Sequence, residues 1–235
     1  MSQYLYTLDD KELAFPPHEF ALIEPNGLIA TGGDLHPKRL IQAYANGIFP
    51  WYSEADPLLW WSPNPRAILK ISDLRVNRSL QKFVNKSPYT VSLNKDFSRV
   101  IDTCSDAPFR HDDTWIMPEM IQAYQQLHQL GYAHSIEVWQ HDELVGGLYG
   151  VAINGFFSGE SMFYKKTNAS KIALIALVNL LNLKDIQFID CQIQNPFLES
   201  MGVKEVARDE FLSLQQTAVN RPVEAEFWQS RRLQT

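Results

Sequence analysis

Cysteine is nearly absent: 235 residues hold only Cys104 and Cys191, far apart and with no second Cys or His at ligand spacing beside either. Neither a disulfide framework nor a structural zinc is implied, and a reducing compartment is expected. Long hydrophobic runs are missing too. The longest, residues 172–183, is interrupted by Asn179 and Asn182 and is too short to cross a bilayer. The opening MSQYLYTLDDKEL lacks the basic and then apolar order of a secretory signal, so a cytoplasmic location without a membrane partner is expected. No GxSxG elbow, P-loop, HExxH or CxxC occurs, which leaves serine-hydrolase, nucleotide-hydrolysis and metalloprotease chemistry without support. His18, His36, His111, His128, His134 and His141 show no ligand spacing, so they read as surface or core residues and no metal is expected. Internal repeats and low-complexity segments are also lacking.

What is present is an ordinary globular composition, 45% hydrophobic and 20% charged, around one unusual stretch. GIFPWYSEADPLLWWSPNPR, residues 47–66, carries three tryptophans and four prolines and cannot be one helix. The residues before it are punctuated by Pro and Gly, with one short helix expected over residues 37–46, Asp34 near its cap, Pro37 early and Gly47 closing it. Residues 1–62 therefore read as a small, loop-rich N-terminal domain. From Pro65 the pattern becomes regular. Strands are expected at 67–72 and 89–94, helices at 97–104 and 117–130, and a three-strand meander at 134–140, 143–153 and 156–163 with turns at His141-Asp142 and Asn154-Gly155. A long helix at about 169–181, a strand at 186–193, a helical turn near 197–201 and a helix after Arg208 follow. Meander, helix, strand, helix is the order of an acyltransferase core of the GNAT type, so residues 63–235 are expected to form an α+β domain on a mixed, mostly antiparallel sheet. The segment KKTNASK lacks the Gly-rich turn that seats a coenzyme A pyrophosphate, which disfavours an acetyl-CoA enzyme. Lys165, Lys166 and Lys171 still surround the start of the long helix, a seat for some other phosphate.

Charge is unevenly spread. The chain is −6 overall, yet from Trp61 to Val100 eight Lys and Arg face only Asp73 and Asp96, a local +6. On a helix Arg78, Lys82 and Lys86 share a face with Arg75, while Val76, Leu80, Phe83 and Val84 point away. Such a stripe is either a solvated face or, because like charges at i+4 repel, a seat for RNA or DNA phosphate. In the strand IDCQI, Asp190 and Gln192 are two apart and so share one face, with Ile189, Cys191 and Ile193 on the other. Asp190 either satisfies a neighbouring group or takes part in a reaction. In FFSGESMF, Glu160 alternates in phase with Ser158 and Met162, and the meander can bring it opposite Asp190. Two acids and an amide between apolar walls would form a reaction cleft.

The segments EPNGLIATGGDL, GIFPWYS, LLWWSPNPRAIL, HSIEVW, LVGGLYGVA, GESMF, NASK and IDCQ, in this order and at these separations, resemble bacterial leucyl/phenylalanyl-tRNA protein transferase over nearly the whole chain. The resemblance implies a GNAT-like enzyme that moves Leu or Phe, less readily Met, from its charged tRNA to the N-terminal Arg or Lys of a protein and marks that protein for degradation by the N-end rule. It implies that aminoacyl-tRNA is a substrate rather than a cofactor and that Trp51 and Trp115 frame the 3'-terminal adenosine and aminoacyl group. It further implies that Leu148, Phe157, Met162, Leu174 and Leu177 line the pocket for the aminoacyl side chain. Asp190, Gln192 and Glu160 are then expected to carry the chemistry, and Arg75, Arg78, Lys82 and Lys86 to hold tRNA phosphates, in a chain expected to be monomeric. A transferase of the peptidoglycan-bridge type and a non-catalytic RNA-binding module remain as alternatives.

Overall fold

The computed structural model describes residues 4–9, 11–106 and 116–234. The described residues up to Trp61 build a small sheet where only loops and one helix were expected. It comprises β1 (Tyr6–Leu8), β2 (Leu28–Gly32), β3 (Phe49–Pro50) and β4 (Leu59–Trp61), in spatial order β1-β2-β4-β3 with only the β1–β2 pair parallel. Strands of two to five residues, two of them inside the Pro- and Trp-rich stretch, carry no period that marks them in advance. Helix α1 (Pro37–Ala45) lies between β2 and β3. Its first turn is opened by Pro37 and capped by His36, whose ring accepts from the Lys38 N–H at 3.2 Å, while Asp34, two residues earlier, accepts the His36 N–H. Trp60 is fully buried with its indole N–H on the Gly32 carbonyl, so it is packing rather than exposed aromatic surface.

The rest of the chain contributes β5 (Arg66–Lys70), α2 (Arg78–Val84), β6 (Thr90–Leu93), α3 (Phe97–Ser105), α4 (Pro118–Gln129), β7 (Ala133–Gln140), β8 (Glu143–Ile153), β9 (Phe156–Tyr164), α5 (Ala169–Asn182), β10 (Phe188–Gln192), α6 (Pro196–Met201), β11 (Lys204–Val206), α7 (Arg208–Val219) and β12 (Arg231–Leu233). The strands form one mixed sheet in the order β11-β5-β10-β9-β8-β7-β6-β12. Its ladders are antiparallel except β9–β10, which pairs in parallel only at Ile189 with Phe157 and at Asp190 with Ser158. Beyond that short ladder the two strands diverge and leave an opening in the sheet. This is the mixed, mostly antiparallel sheet expected from the order of elements.

The two faces of the sheet carry separate apolar clusters. Helix α5 covers one face; eleven of its residues are buried and its apolar side chains run all round it, as a helix enclosed by protein requires. Helices α3 and α4 cover the other. The small sheet joins that second cluster, because Leu40, Tyr44, Phe49 and Trp60 pack in the same contiguous group as Phe97, Tyr124, Tyr149 and Phe211. Among the described residues no helix is long and apolar enough to cross a membrane.

Candidate active site

Two bulges shape the opening between β9 and β10. On β9, Tyr149 pairs with Ser161 and Gly150 with Gly159, which leaves Glu160 as the extra residue. On β10 the ladder to β5 slips between Asp190 and Gln192, and Gln192 takes the left-handed φ of +57° that few non-glycine residues adopt. The simple alternation read from the sequence therefore fails in one respect. Glu160 and Met162 were expected in phase, but the bulge sends Met162 to the α5 face and keeps Glu160 with Ser158 on the opposite one. Gly150 permits the pinch, since a Cβ there would stand 2.3 Å from the Ser158 carbonyl oxygen.

The opening is a cavity of about 440 Å³ that passes from one face of the sheet to the other. Its apolar end is walled by Leu148, Met162, Leu174 and Leu177, joined by Ile189, Phe197 and Leu198, which the sequence did not single out. Its other end is formed by Phe49, Pro50, Trp51, Tyr149, Glu160 and Gln192. Phe157 is not in the wall: it is buried with its ring stacked on Trp228 at 5.8 Å, because parallel pairing with Ile189 fixes it below the point of divergence. Trp51 stands at the mouth with 41% of its surface exposed, held by the Trp61 indole N–H on its carbonyl oxygen at 2.6 Å and by ring contact at 5.6 Å. Trp115 lies outside the described residues.

Behind the cavity runs a polar network centred on Ser158. Asp190 is buried and does not line the cavity; Arg66 holds it through two bonds, Nε to Oδ1 at 2.8 Å and Nη2 to Oδ2 at 2.7 Å. The Arg66 guanidinium is itself buried between the rings of Phe49 and Phe211, 4.8 and 4.4 Å from their centroids. Asp190 Oδ1 also accepts the backbone N–H of Gln192 at 3.1 Å, which pins the bulge. Ser158 Oγ lies 3.3 Å from Asp190 Oδ2 and 3.0 Å from Glu160 Oε1, and receives Gln192 Nε2 at 2.7 Å. Tyr124 on α4 donates to Glu160 Oε2 at 3.2 Å, and its hydroxyl is in turn in hydrogen-bond contact with that of Tyr44 on α1. Burial raises the Glu160 carboxyl to about 7 against the pull of these donors, with the Asp190 charge adding to the rise. Arg66, Ser158 and the two tyrosines were not anticipated. Arg66 stands directly after the quoted WWSPNP segment, but nothing in the sequence couples it to an acid 124 positions away.

The basic stripe is shorter than a single helix would make it. Helix α2 spans only Arg78–Val84, capped by the Asn77 side chain on the Leu80 N–H, so Arg75 precedes it and Lys86 follows it. Arg75, Arg78, Lys82 and Lys86 are all exposed. Arg78, Lys82 and Lys86 still meet around a shallow groove with Val76, Gln81 and Asn85, while Arg75 is not in its wall and its side chain passes beside Gly202. Burial lowers His18 to about 4 and His134 to about 3, leaving both neutral at pH 7 and neither in the cavity wall.

The sheet opens between its one parallel strand pair, with an apolar slot on one side and, on the other, the half-buried Glu160 and the buried Asp190, a cleft able to seat an apolar group beside carboxylates. The family model for the leucyl/phenylalanyl-tRNA protein transferase N-terminal domain matches residues 33–64, and that for leucyl/phenylalanyl-tRNA protein transferase matches residues 68–216. The chain is 64% identical to the leucyl/phenylalanyl-tRNA--protein transferase of Colwellia psychrerythraea, with 99% of both chains covered. It is 50% identical to that of Pseudoalteromonas atlantica, covering 95% of this chain and 96% of that one, and 50% identical to that of Tolumonas auensis, covering 97% of both. The chain belongs to the leucyl/phenylalanyl-tRNA protein transferase family and is, with it, an aminoacyltransferase.

Proposed function

We propose that this chain transfers leucine or phenylalanine, and less readily methionine, from aminoacyl-tRNA to the N-terminal Arg or Lys of acceptor proteins and so creates a degradation signal. The observation that carries the reading is the cavity that joins an apolar slot to Trp51 at one rim and to Gln192 and Glu160 at its polar end. A terminal adenine stacks on Trp51, at about 1 to 3 kcal/mol per base. The aminoacyl side chain enters the slot of Leu148, Met162, Leu174 and Leu177, where apolar walls separate Leu, Phe and Met by only about 1 to 3 kcal/mol per methylene. Phosphates of the RNA lie along Arg78, Lys82 and Lys86, with Arg75 beside them.

No covalent enzyme intermediate is needed. The acceptor's α-amino nitrogen attacks the ester carbonyl; the peptide C–N bond forms as the C–O bond to the ribose breaks, and the proton released by the amine ends on the ribose oxygen. Free amino termini ionise near 7.7 to 8.0, so a useful fraction is neutral and the protein's work is orientation. Gln192 receives the amine, Asp190 fixes Gln192 through its backbone N–H, and Glu160 holds the ammonium or aminoacyl-adenosine end. No cofactor takes part, and the enzyme works as a cytoplasmic monomer. The test is transfer of labelled leucine from leucyl-tRNA to a peptide beginning with Arg. Gln192→Ala and Glu160→Gln should each lower the rate by at least about tenfold while tRNA affinity stays near that of the parent; full activity in both variants would reject the assignment.

A further inference from the structure

We propose that Ser158 is a positioning residue: it sets the orientation of the Gln192 amide, turning its carbonyl oxygen toward the cavity to accept a hydrogen from the attacking amine. The inference rests on the reading of Gln192 given above and extends it to a residue that touches no substrate.

Donor counting carries the argument. Ser158 Oγ is fully buried and has three polar neighbours: Asp190 Oδ2 at 3.3 Å, Glu160 Oε1 at 3.0 Å and the Gln192 amide at 2.7 Å. A hydroxyl has one hydrogen and two lone pairs. Two of its neighbours are carboxyl oxygens, and Asp190, locked to Arg66 by two bonds, can only accept. The single hydroxyl hydrogen therefore points to a carboxylate, and what remains for the Gln192 amide is a lone pair. Only the NH2 end of the amide can use it. The oxygen end is left on the cavity side, where Gln192 is a wall residue.

The backbone cooperates. At φ +57° on the bulge, with its N–H tied to Asp190, Gln192 is held so that its side chain reaches back to Ser158 across the diverging strands. The parallel Asp190–Ser158 pair is the final rung before β9 and β10 separate, so position 158 is the place on β9 from which a short hydroxyl meets both the Arg66-bound carboxylate and the Gln192 amide. Without that hydroxyl an amide is free to rotate about its terminal bond and presents NH2 and C=O to the amine indiscriminately.

Leucyl-tRNA and an Arg-initiated peptide provide the test, with steady-state rates for the parent, Ser158→Ala, Gln192→Ala and the double variant. Ser158→Ala should lower kcat about tenfold with the KM for leucyl-tRNA within about twofold of the parent. In the Gln192→Ala background the same change should cost nothing further, since there is no amide left to orient. Ser158→Cys, which keeps a weak donor and acceptor in a similar volume, should fall between parent and Ser158→Ala and serves as the primary variant if melting shows that Ser158→Ala is not folded. The inference is overturned if Ser158→Ala runs within about twofold of the parent, or if its loss multiplies fully with that of Gln192→Ala. Full activity in Gln192→Ala, by contrast, brings down the reading of Gln192 itself, so the two failures are distinct.

Discussion

Glu160 is asked to be two things at once. It borders the cavity to which the proposed function assigns a cationic amino terminus, yet it lies among Tyr44, Tyr124 and Ser158 on the face that burial makes hostile to charge. The fold holds its carboxyl at about 7 against an ordinary value of 4.5. In the unfolded chain the proton leaves near 4.5, whereas in the folded chain it stays until about 7. Stability from this group is thus full below pH 4.5, falls as pH rises between 4.5 and 7, and is flat above. The unfolding free energy of the parent, minus that of Glu160→Gln, should decline over that window by roughly 2 to 4 kcal/mol. Urea titrations at pH 5, 6, 7 and 8 measure it, and a difference that does not change with pH would show that Glu160 titrates normally. On the proposed function an acceptor ammonium would compensate the carboxylate, so the same enclosure that destabilises the empty charged site would favour an occupant of opposite sign.

Elements with a clear period were legible. The meander at 134–163 and the helices α3, α4, α5 and α7 fall within a few residues of where alternation, caps and stop signals put them, with Gly131 in the left-handed region just past α4. What escaped was the structure that breaks a period. A bulge is one residue out of register and leaves no mark in composition, yet the bulges at Glu160 and beside Gln192 decide which face of the sheet each side chain serves. Spacing placed Asp190 and Gln192 on one side, and they do meet, but through Ser158 and a backbone N–H rather than directly side chain to side chain. The basic stripe was likewise over-extended as one helix; Asn77 caps α2 ahead of Arg78, and Pro88 lies just beyond its end. Three cations still converge on its groove. Replacing Arg78 and Lys82 together by Ala should weaken tRNA association and reduce the slope of log affinity against log salt by about 1.4 to 1.8, if each meets one phosphate. Filter binding at several salt concentrations reads the slope directly, and an unaltered slope would remove the stripe from the RNA path.

At the scale of the molecule, the question is how independently the small sheet behaves. Its strands pair only with one another, which suggests autonomy. Packing argues the reverse. Phe49 of the small sheet and Phe211 of α7 sandwich the Arg66 guanidinium, Arg66 holds Asp190 at the site, and Tyr44 of α1 meets Tyr124 of α4 within one continuous apolar cluster. Gln215 of α7 adds hydrogen bonds to the carbonyl oxygens of Tyr44 and Ala45 at 3.1 and 2.6 Å. Removing the small sheet would expose a buried ion pair and half of an aromatic sandwich, so neither part has a low-energy state without the other. Unfolding should therefore be a single transition. Three of the six tryptophans, Trp51, Trp60 and Trp61, lie in or beside the small sheet, so fluorescence samples both parts, while far-ultraviolet circular dichroism is weighted by the larger sheet and the helices; the two signals should give the same urea midpoint. Arg66→Met, which strands the Asp190 carboxylate in the interior, should lower stability by about 3 to 5 kcal/mol and move both midpoints together. A fluorescence midpoint that shifts alone, or that precedes the other in the parent, would show that the Trp51 rim folds separately and that the cavity is assembled only after two independent units dock.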